Sequence, residues 1–114
     1  MVSFVKEIYN FLMRVNTRSK GRRMELRCAK MLEDVGYAVQ LAPNPSKWSL
    51  QNDLFGLWDL VALRGDDVLW VQIKTNRKPT KTEMEPFEQW RYYGRKQIWI
   101  FYDGKKKPVI IDVL

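Results

Sequence analysis

The chain has 114 residues, enough for one domain with a modest core and too few for two. Twenty Lys and Arg against thirteen Asp and Glu give a net charge of +7, a balance typical of nucleic-acid-binding proteins. With no histidine and one cysteine, the sequence excludes histidine general bases, Ser-His-Asp triads and zinc sites built from His or several Cys. A catalyst of this composition must work with carboxylates, lysine and amides, and carboxylate and amide oxygens suit Mg²⁺ or Mn²⁺.

The cellular compartment is constrained by hydropathy and by the cysteine. No apolar run approaches the ~18 residues that a membrane span requires, so no membrane association is expected. Residues 1–15 mix charged side chains into their apolar pattern and do not resemble a secretory signal. Cys28 has no partner for an internal disulfide, which fits a reducing compartment. We therefore expect a cytoplasmic protein.

Two helices are predicted in the first third of the chain. Residues 1–16 predict an amphipathic helix whose apolar side chains share one face, namely Phe4, Val5, Ile8, Phe11, Leu12 and Val15. This helix would pack on the domain itself or on a partner subunit. After a polar break, residues 19–35 predict a second helix, and Gly36 is expected to end it in the left-handed cap position.

Extended segments are predicted where the helical period gives way to alternation. They cover residues 37–42, 57–63, 68–74, 97–102 and 109–113, with hairpin turns at 64–67 and 103–108. Residues 43–53 are expected to form a loop of a length that is usually functional or disordered. Residues 82–93 predict a helix with Thr82 as its cap and Pro86 in its first turn. The order helix, helix, three strands, helix, two strands predicts one α/β domain.

Three polar side chains interrupt two neighbouring apolar strands. Asp59 lies inside the segment 57–63, where a lone carboxylate is costly to bury unless it is paired or holds a metal. Gln72 and Lys74 are two residues apart on the next strand and therefore project from the same face. A hairpin sets the two strands side by side, so the acid, the amide and the amine can converge. The alternative is a structural ion pair between Asp59 and Lys74, with Gln72 at a sheet edge.

An acid on one strand followed by Gln-x-Lys on the next resembles the motif of the PD-(D/E)XK nuclease superfamily. The preceding helix, with Glu25 in Ser-Lys-Gly-Arg-Arg-Met-Glu-Leu, is similar to the opening helix of archaeal-type Holliday-junction resolvases. The resemblance covers residues 19–78 and implies a restriction-endonuclease-like domain, a central mixed β-sheet flanked by helices. Residues 1–16 would add a helix to this core, and residues 82–114 would complete the domain with a helix and a hairpin.

The resemblance also implies a mechanism, metal-assisted hydrolysis of phosphodiesters. Asp59, Gln72, Glu25 and the backbone carbonyl of Ile73 would hold Mg²⁺, with Mn²⁺ as a substitute, while Lys74 would orient the attacking water or stabilise charge on the phosphoryl oxygens. Asp53 is a further ligand or a solvated cap. Two positions depart from the family pattern: Trp58 stands where the family has proline, and Gln72 replaces the second carboxylate, which lowers the negative charge available to the metal.

Basic residues flank these positions and are well placed to neutralise phosphates. The candidate DNA-binding residues are Lys20, Arg22, Arg23, Arg77 and Lys78. The expected function is a Mg²⁺-dependent endodeoxyribonuclease acting on branched or duplex DNA as a homodimer, without a small-molecule cofactor. The alternatives are an inactive nuclease-fold DNA-binding module and a nuclease subunit of a recombination or transposition complex. Four tryptophans are expected in the core (Trp58, Trp70, Trp90 and Trp99), whereas Trp48 is a candidate nucleic-acid contact, with an anchor of its loop as the alternative.

Overall fold

The computed structural model describes residues 20–43 and 53–114. The predicted helix at 1–16, most of the predicted loop at 43–53, and Trp48 lie outside the described residues. Residues 20–34 are helical (α1). The other elements follow in the order β1 (Ala38–Leu41), β2 (Leu60–Arg64), β3 (Asp67–Thr75), α2 (Lys81–Gln89), β4 (Arg95–Phe101) and β5 (Val109–Val113). No helix in the described part of the chain is long and apolar enough to cross a membrane.

The five strands form one mixed sheet in which spatial order follows chain order. β1, β2 and β3 are antiparallel neighbours, β4 runs parallel to β3, and β5 returns antiparallel to β4. Parallel neighbours cannot be joined by a tight turn, and here α2 lies in the crossover between β3 and β4. The predicted α/β fold, a mixed sheet flanked by helices, is confirmed for these residues.

Alternation along the two central strands builds a core on each face of the sheet. On one face, Val71 of β3 belongs to a cluster with Cys28 and Leu32 of α1. On the other face, Ile98 and Ile100 of β4 pack with Phe87 of α2 and with Trp58, which is fully buried. Side chains that leave β3 on this second face, among them those of Trp70 and Gln72, project toward the α2 side.

Glycines in the sequence account for the turn before β1 and the turn after β2. Gly36, at φ 97°, ends α1 in a Schellman motif, in which its N–H donates to Glu33 O and that of Tyr37 donates to Leu32 O, both at 3.0 Å. The predicted cap is thus confirmed. In the hairpin between β2 and β3, Gly65 takes the first of two turn positions at φ 58°, a conformation that glycine adopts without strain.

The predicted strand at 57–63 was wrong at its start. β2 begins at Leu60, because residues 54–57 form a tight turn in which the N–H of Leu57 donates to Leu54 O at 3.1 Å. The two central residues, Phe55 and Gly56, both have positive φ (54° and 71°), as a type I′ turn requires. Asp59 therefore lies between this turn and the strand rather than within the strand.

The predicted helix at 82–93 was wrong at both ends. Thr80, not Thr82, caps α2, through a capping box in which Thr80 Oγ1 accepts from the N–H of Glu83 and Glu83 accepts from that of Thr80. Pro86 is consequently in the second turn. The helix ends at Gln89. Lys96 Nζ donates to the carbonyl oxygen of Phe87 in the last turn, at 2.8 Å, and to that of Trp90, which follows the helix, at 2.9 Å.

Candidate active site

Asp59 is fixed by hydrogen bonds from both neighbouring segments of the sheet. Its N–H donates to Val71 O at 2.9 Å, and its Oδ2 accepts from the N–H of Ile73 at 2.7 Å. Its carbonyl oxygen accepts from the N–H of Ala42 at 2.8 Å. Only 7% of the residue is exposed. Burial raises the pKa of the Asp59 carboxyl to about 7, against the opposing effect of the hydrogen bond from Ile73.

Two further acids lie within electrostatic reach of Asp59. The negative charges of Glu25, on α1, and of Asp53, at the start of the turn, both raise the pKa of Asp59. The pKa of Glu25 is itself raised, first by burial and also by Asp53, although Arg22 opposes both effects. Arg22 Nη1 lies 3.1 Å from Glu25 Oε2 and 3.0 Å from Ala42 O. Glu25 and Asp59 therefore lie at least partly buried within electrostatic reach of each other and of the exposed Asp53, and Arg22 is a close positive partner of Glu25.

Gln72 lies beside Asp59, as the hairpin register predicts. Its side-chain amide lies against two acceptors, and with the amide nitrogen turned toward them it donates to Leu57 O at 2.5 Å and to Asp59 Oδ2 at 3.2 Å, which is the orientation that satisfies both. The amide thus ties the turn before Asp59 to strand β3. In this orientation Gln72 presents a donor to the carboxylate, so the amide has to rotate before its oxygen can join Asp59 Oδ2 as a ligand of a cation.

Lys74 is directed toward the start of α2. Its Nζ lies 3.4 Å from Glu83 Oε2, while Arg77 holds both oxygens of the same carboxylate at 2.7 and 3.0 Å. The hydrogen bonds from Arg77 are the main reason that the pKa of Glu83 lies well below its usual range. Within the described residues Lys74 pairs with Glu83 and not with Asp59, so the structural Asp59–Lys74 ion pair does not form there.

The Ile73 carbonyl lies where the pairing of β3 with β2 has ended. The last paired residues are Leu60 and Val71, and two residues later the N–H of Ile73 donates to the Asp59 side chain. Because the N–H and C=O of a strand residue point to the same side, the Ile73 carbonyl also faces the Asp59 side. This is the position that the sequence motif assigns to a backbone ligand.

The chemistry of these groups fits a divalent cation, although the ligands are not prearranged. Crowded, desolvated carboxylates gain from a nearby positive charge, and their oxygens suit Mg²⁺ and Mn²⁺. Yet in residues 20–43 and 53–114 no three of the Cys, Asp and Glu side chains are grouped as a ready set of metal ligands. Glu25 would have to leave Arg22, and the Gln72 amide would have to rotate.

The candidate DNA-binding residues fall into two kinds. Arg23 and Lys78 are exposed. The other three are bonded within the protein: Lys20 with Asp103 at 2.8 Å, Arg22 with Glu25, and Arg77 with Glu83. Arg22 and Arg77 therefore form ion pairs with acids in or next to the candidate site, and their remaining N–H groups are the ones that could bind phosphates.

The positions of two acids near the site are not among the sequence predictions. Thr80-Lys81-Thr82-Glu83 has the spacing of a capping box, and this signal fixes where Glu83 lies on α2. Asp53 is predicted as a further ligand or a solvated cap. Its electrostatic effect on Asp59 depends on the turn at 54–57, which the predicted strand at 57–63 does not include.

Comparison with known proteins supports the fold alone. No protein-family model and no curated protein matches the chain. Among solved structures, the chain is similar to Hjc, a Holliday junction resolvase from the archaeal hyperthermophile Archaeoglobus fulgidus. The likeness has a TM-score of 0.50 and 16% sequence identity, and it covers 81% of this chain and 88% of that one. At this identity, the two proteins share a fold.

Proposed function

We propose that the chain is a metal-dependent endonuclease that hydrolyses phosphodiester bonds in DNA, with branched DNA such as a Holliday junction as its preferred substrate. The observation that carries this proposal is the buried Asp59, crowded by Glu25 and Asp53 and bonded to strand β3 beside Gln72. A carboxylate in this environment is stabilised by a cation, and strongly shifted acids in a polar cluster mark candidate functional sites. The resolvase-like fold favours DNA as the substrate.

Asp59, Glu25, Gln72 and the Ile73 carbonyl would hold Mg²⁺ or Mn²⁺, with Asp53 as an additional carboxylate. A bound divalent cation supplies positive charge that polarises a phosphate and lowers the pKa of a water molecule. Asp59 has to be ionised to serve as a ligand, and it keeps its hydrogen bond from Ile73 while doing so. Gln72 contributes an uncharged oxygen, so affinity for the cation depends chiefly on the three acids.

Lys74 would act on the phosphate or on the attacking water. Its 3.4 Å contact with Glu83 is long for a charge-assisted hydrogen bond, whereas Arg77 satisfies both oxygens of that carboxylate at shorter range. The amine can therefore leave Glu83 at small cost. Turned toward the scissile phosphate, it would stabilise the charge that builds on the phosphoryl oxygens.

DNA binding would rest on exposed basic residues and cutting of both strands on a second copy of the chain. Arg23 and Lys78 would attract phosphates whatever the base sequence of the DNA. The net charge of +7 adds to this attraction. One site cuts one strand, so symmetric cleavage of a junction calls for a homodimer. Sedimentation at micromolar concentration without and with junction DNA checks this: a 13.6 kDa species alone in the free protein, together with one chain per junction in the complex, would contradict dimerisation.

A second candidate, a DNA-binding module without catalysis, is favoured by one set of contacts. Glu25 is paired with Arg22, Lys74 is paired with Glu83, and the Gln72 amide satisfies its neighbours best when its nitrogen donates to Asp59. If these partners hold when DNA and Mg²⁺ are present, the acids never meet around a cation. Such a module would bind DNA and leave it intact.

Cleavage of a panel of substrates separates the two candidates. We expect the purified chain to nick a four-way junction with Mg²⁺ or Mn²⁺, and to cut flap, duplex and single-stranded DNA more slowly. EDTA should abolish the reaction. Tight binding of the junction with no cleavage in either metal would favour the non-catalytic module, and absence of DNA binding would contradict both.

A further inference from the structure

An aromatic pocket of about 320 Å³ opens on the α2 side of the sheet, lined by Phe55, Trp70, Trp90 and Tyr92. Its walls are rings in mutual contact: the Phe55 and Trp90 centroids are 5.4 Å apart, those of Trp70 and Trp90 5.3 Å, and those of Trp90 and Tyr92 4.6 Å. Phe55 and Tyr92 are 74% and 72% exposed. The expectation that Trp70 and Trp90 belong to the core is therefore only partly met, since both line an open cavity, whereas Trp58 and Trp99 are buried.

The backbone holds Phe55 in this exposed position at a conformational cost. Phe55 has φ 54°, in the left-handed region that bulky residues seldom occupy, and it is the first central residue of the turn 54–57. Asn, Asp or Gly would fit this position without strain. Strained residues of this kind cluster at ligand-binding and active sites, and here the strain presents an aromatic ring to solvent instead of burying it.

The pocket and the candidate active site are built on the same two segments, the turn at 54–57 and strand β3. The turn that carries Phe55 is followed by Trp58 and Asp59, and the side-chain amide of Gln72 lies against Leu57 O in that turn. On β3, Trp70 lies two residues before Gln72 and four before Lys74, all on one face. Four strand residues span about 13 Å, which corresponds to about four nucleotides at the roughly 3.4 Å stacked spacing of one strand.

We propose that this pocket binds an unstacked nucleobase of the DNA strand whose phosphate reaches Asp59 and Lys74. The inference rests on the proposed function and adds to it a contact with a base. Every base offers a flat π-face, so a cavity walled by aromatic rings accepts one without reading its sequence. Arg91, exposed and next to Tyr92 in the chain, supplies positive charge for the adjoining phosphates. The continuous stacking of a duplex is interrupted where DNA branches, so a base is removed from its stack at lower cost there, and the pocket would favour branched over continuous duplex DNA.

Binding of three short duplexes tests the proposal, with fluorescence anisotropy in EDTA so that nothing is cut. One duplex carries a single unpaired adenine, the second has an abasic site in place of that adenine, and the third is fully paired. The parent protein should bind the first most tightly. Loss of one base–aromatic stack weakens binding by about 5- to 150-fold, so the Tyr92→Ala and Phe55→Asn variants should lose affinity for the first duplex on that scale and bind the other two as the parent does.

Tyr93→Ala is the matched control, since Tyr93 is 73% exposed and adjacent in sequence but lines a different cavity. Its N–H and C=O are unchanged by the substitution, so the bond from Trp70 Nε1 to Tyr93 O at 2.9 Å remains. The pocket is not the base-binding site if Tyr92→Ala binds the duplex with the unpaired adenine almost as tightly as the parent, or if Tyr92→Ala and Tyr93→Ala lose the same affinity for it. Neither result would contradict the proposed nuclease. A parent protein that binds none of the three duplexes would overturn both.

Discussion

The substitution Asp59→Asn should stabilise the protein at neutral and alkaline pH. An amide oxygen can still accept from the Ile73 N–H, while the buried negative charge next to Glu25 and Asp53 is gone. The pKa of Asp59 is raised from an ordinary value of 3.8 to about 7, so the folded state holds its proton more tightly than the unfolded state does. Stability from this group is therefore complete below about pH 4 and is lost as the pH rises toward 7.

The size of the effect follows from the shift. Each pKa unit corresponds to about 1.4 kcal/mol, so ionising Asp59 in the folded protein costs about 4 kcal/mol above pH 7, and the part lost between pH 5 and 8 is about 2–3 kcal/mol. The free energy of unfolding of Asp59→Asn should exceed that of the parent at pH 8, by a margin that shrinks by that amount at pH 5. A loss of this size is a large fraction of the stability of a small domain.

Urea unfolding followed by tryptophan fluorescence, in EDTA at pH 5 to 8, measures the margin. The control is Asp34→Asn, because Asp34 is exposed and forms only a surface pair with Lys30 at 3.1 Å, which should give a small change with little pH dependence. If Asp59→Asn is less stable than the parent at pH 8, or if its margin is the same at pH 5 and pH 8, Asp59 is not held as a desolvated acid. A cation at this position would then lose its main structural support.

Three further predictions concern the metal, the DNA and the aromatic pocket. Gln72→Glu should tighten Mg²⁺ binding measured by calorimetry because it adds a negative charge beside Asp59, and Gln72→Leu should abolish Mg²⁺ binding while the protein stays folded. If both variants bind Mg²⁺ with the affinity of the parent, Gln72 is not a ligand. The logarithm of the DNA association constant should fall steeply and linearly with the logarithm of salt concentration, because Lys and Arg release counterions from phosphates, and a flat plot would exclude nucleic acid as the partner. Gly94→Ala should destabilise the protein by about 1–3 kcal/mol in urea unfolding, since its Cβ would lie 2.9 Å from Trp70 Nε1 and from Val68 O. Gly104→Ala is the control for backbone strain, because Gly104 also has positive φ but faces open space. An equal loss of stability in the two variants would show that the contacts at Gly94 are not the cause.

The sequence predicts the hairpin of β2 with β3 and the pairing of Asp59 with Gln72 because both depend on short-range signals. Alternation fixes the faces of β3, and the tight hairpin at Gly65 fixes which residues of β2 and β3 meet. The register of Leu60 with Val71 then places Asp59 beside Gln72. These features follow from periodicity and turn chemistry alone.

The partners of the site residues could not be predicted in the same way. The contact of Lys74 with Glu83 depends on how α2 crosses the sheet, and the crowding of Asp59 by Asp53 depends on a turn whose first central residue, Phe55, is not a usual turn residue. Propensity favours an extended Phe55, and tertiary contacts with Trp70 and Trp90 override it. Contacts between distant segments are set by packing, which the pattern of one segment does not contain.

Cleavage of a four-way junction at saturating Mg²⁺ by the parent, Asp59→Asn and Lys74→Met tests the central claim most directly. The parent should nick the junction, and both variants should lose at least about 100-fold in the single-turnover rate, the scale on which one group that stabilises transition-state charge contributes. Junction binding in EDTA should stay near that of the parent, which would separate lost chemistry from lost affinity. Cleavage by either variant at the parental rate would contradict a catalytic site built on Asp59 and Lys74.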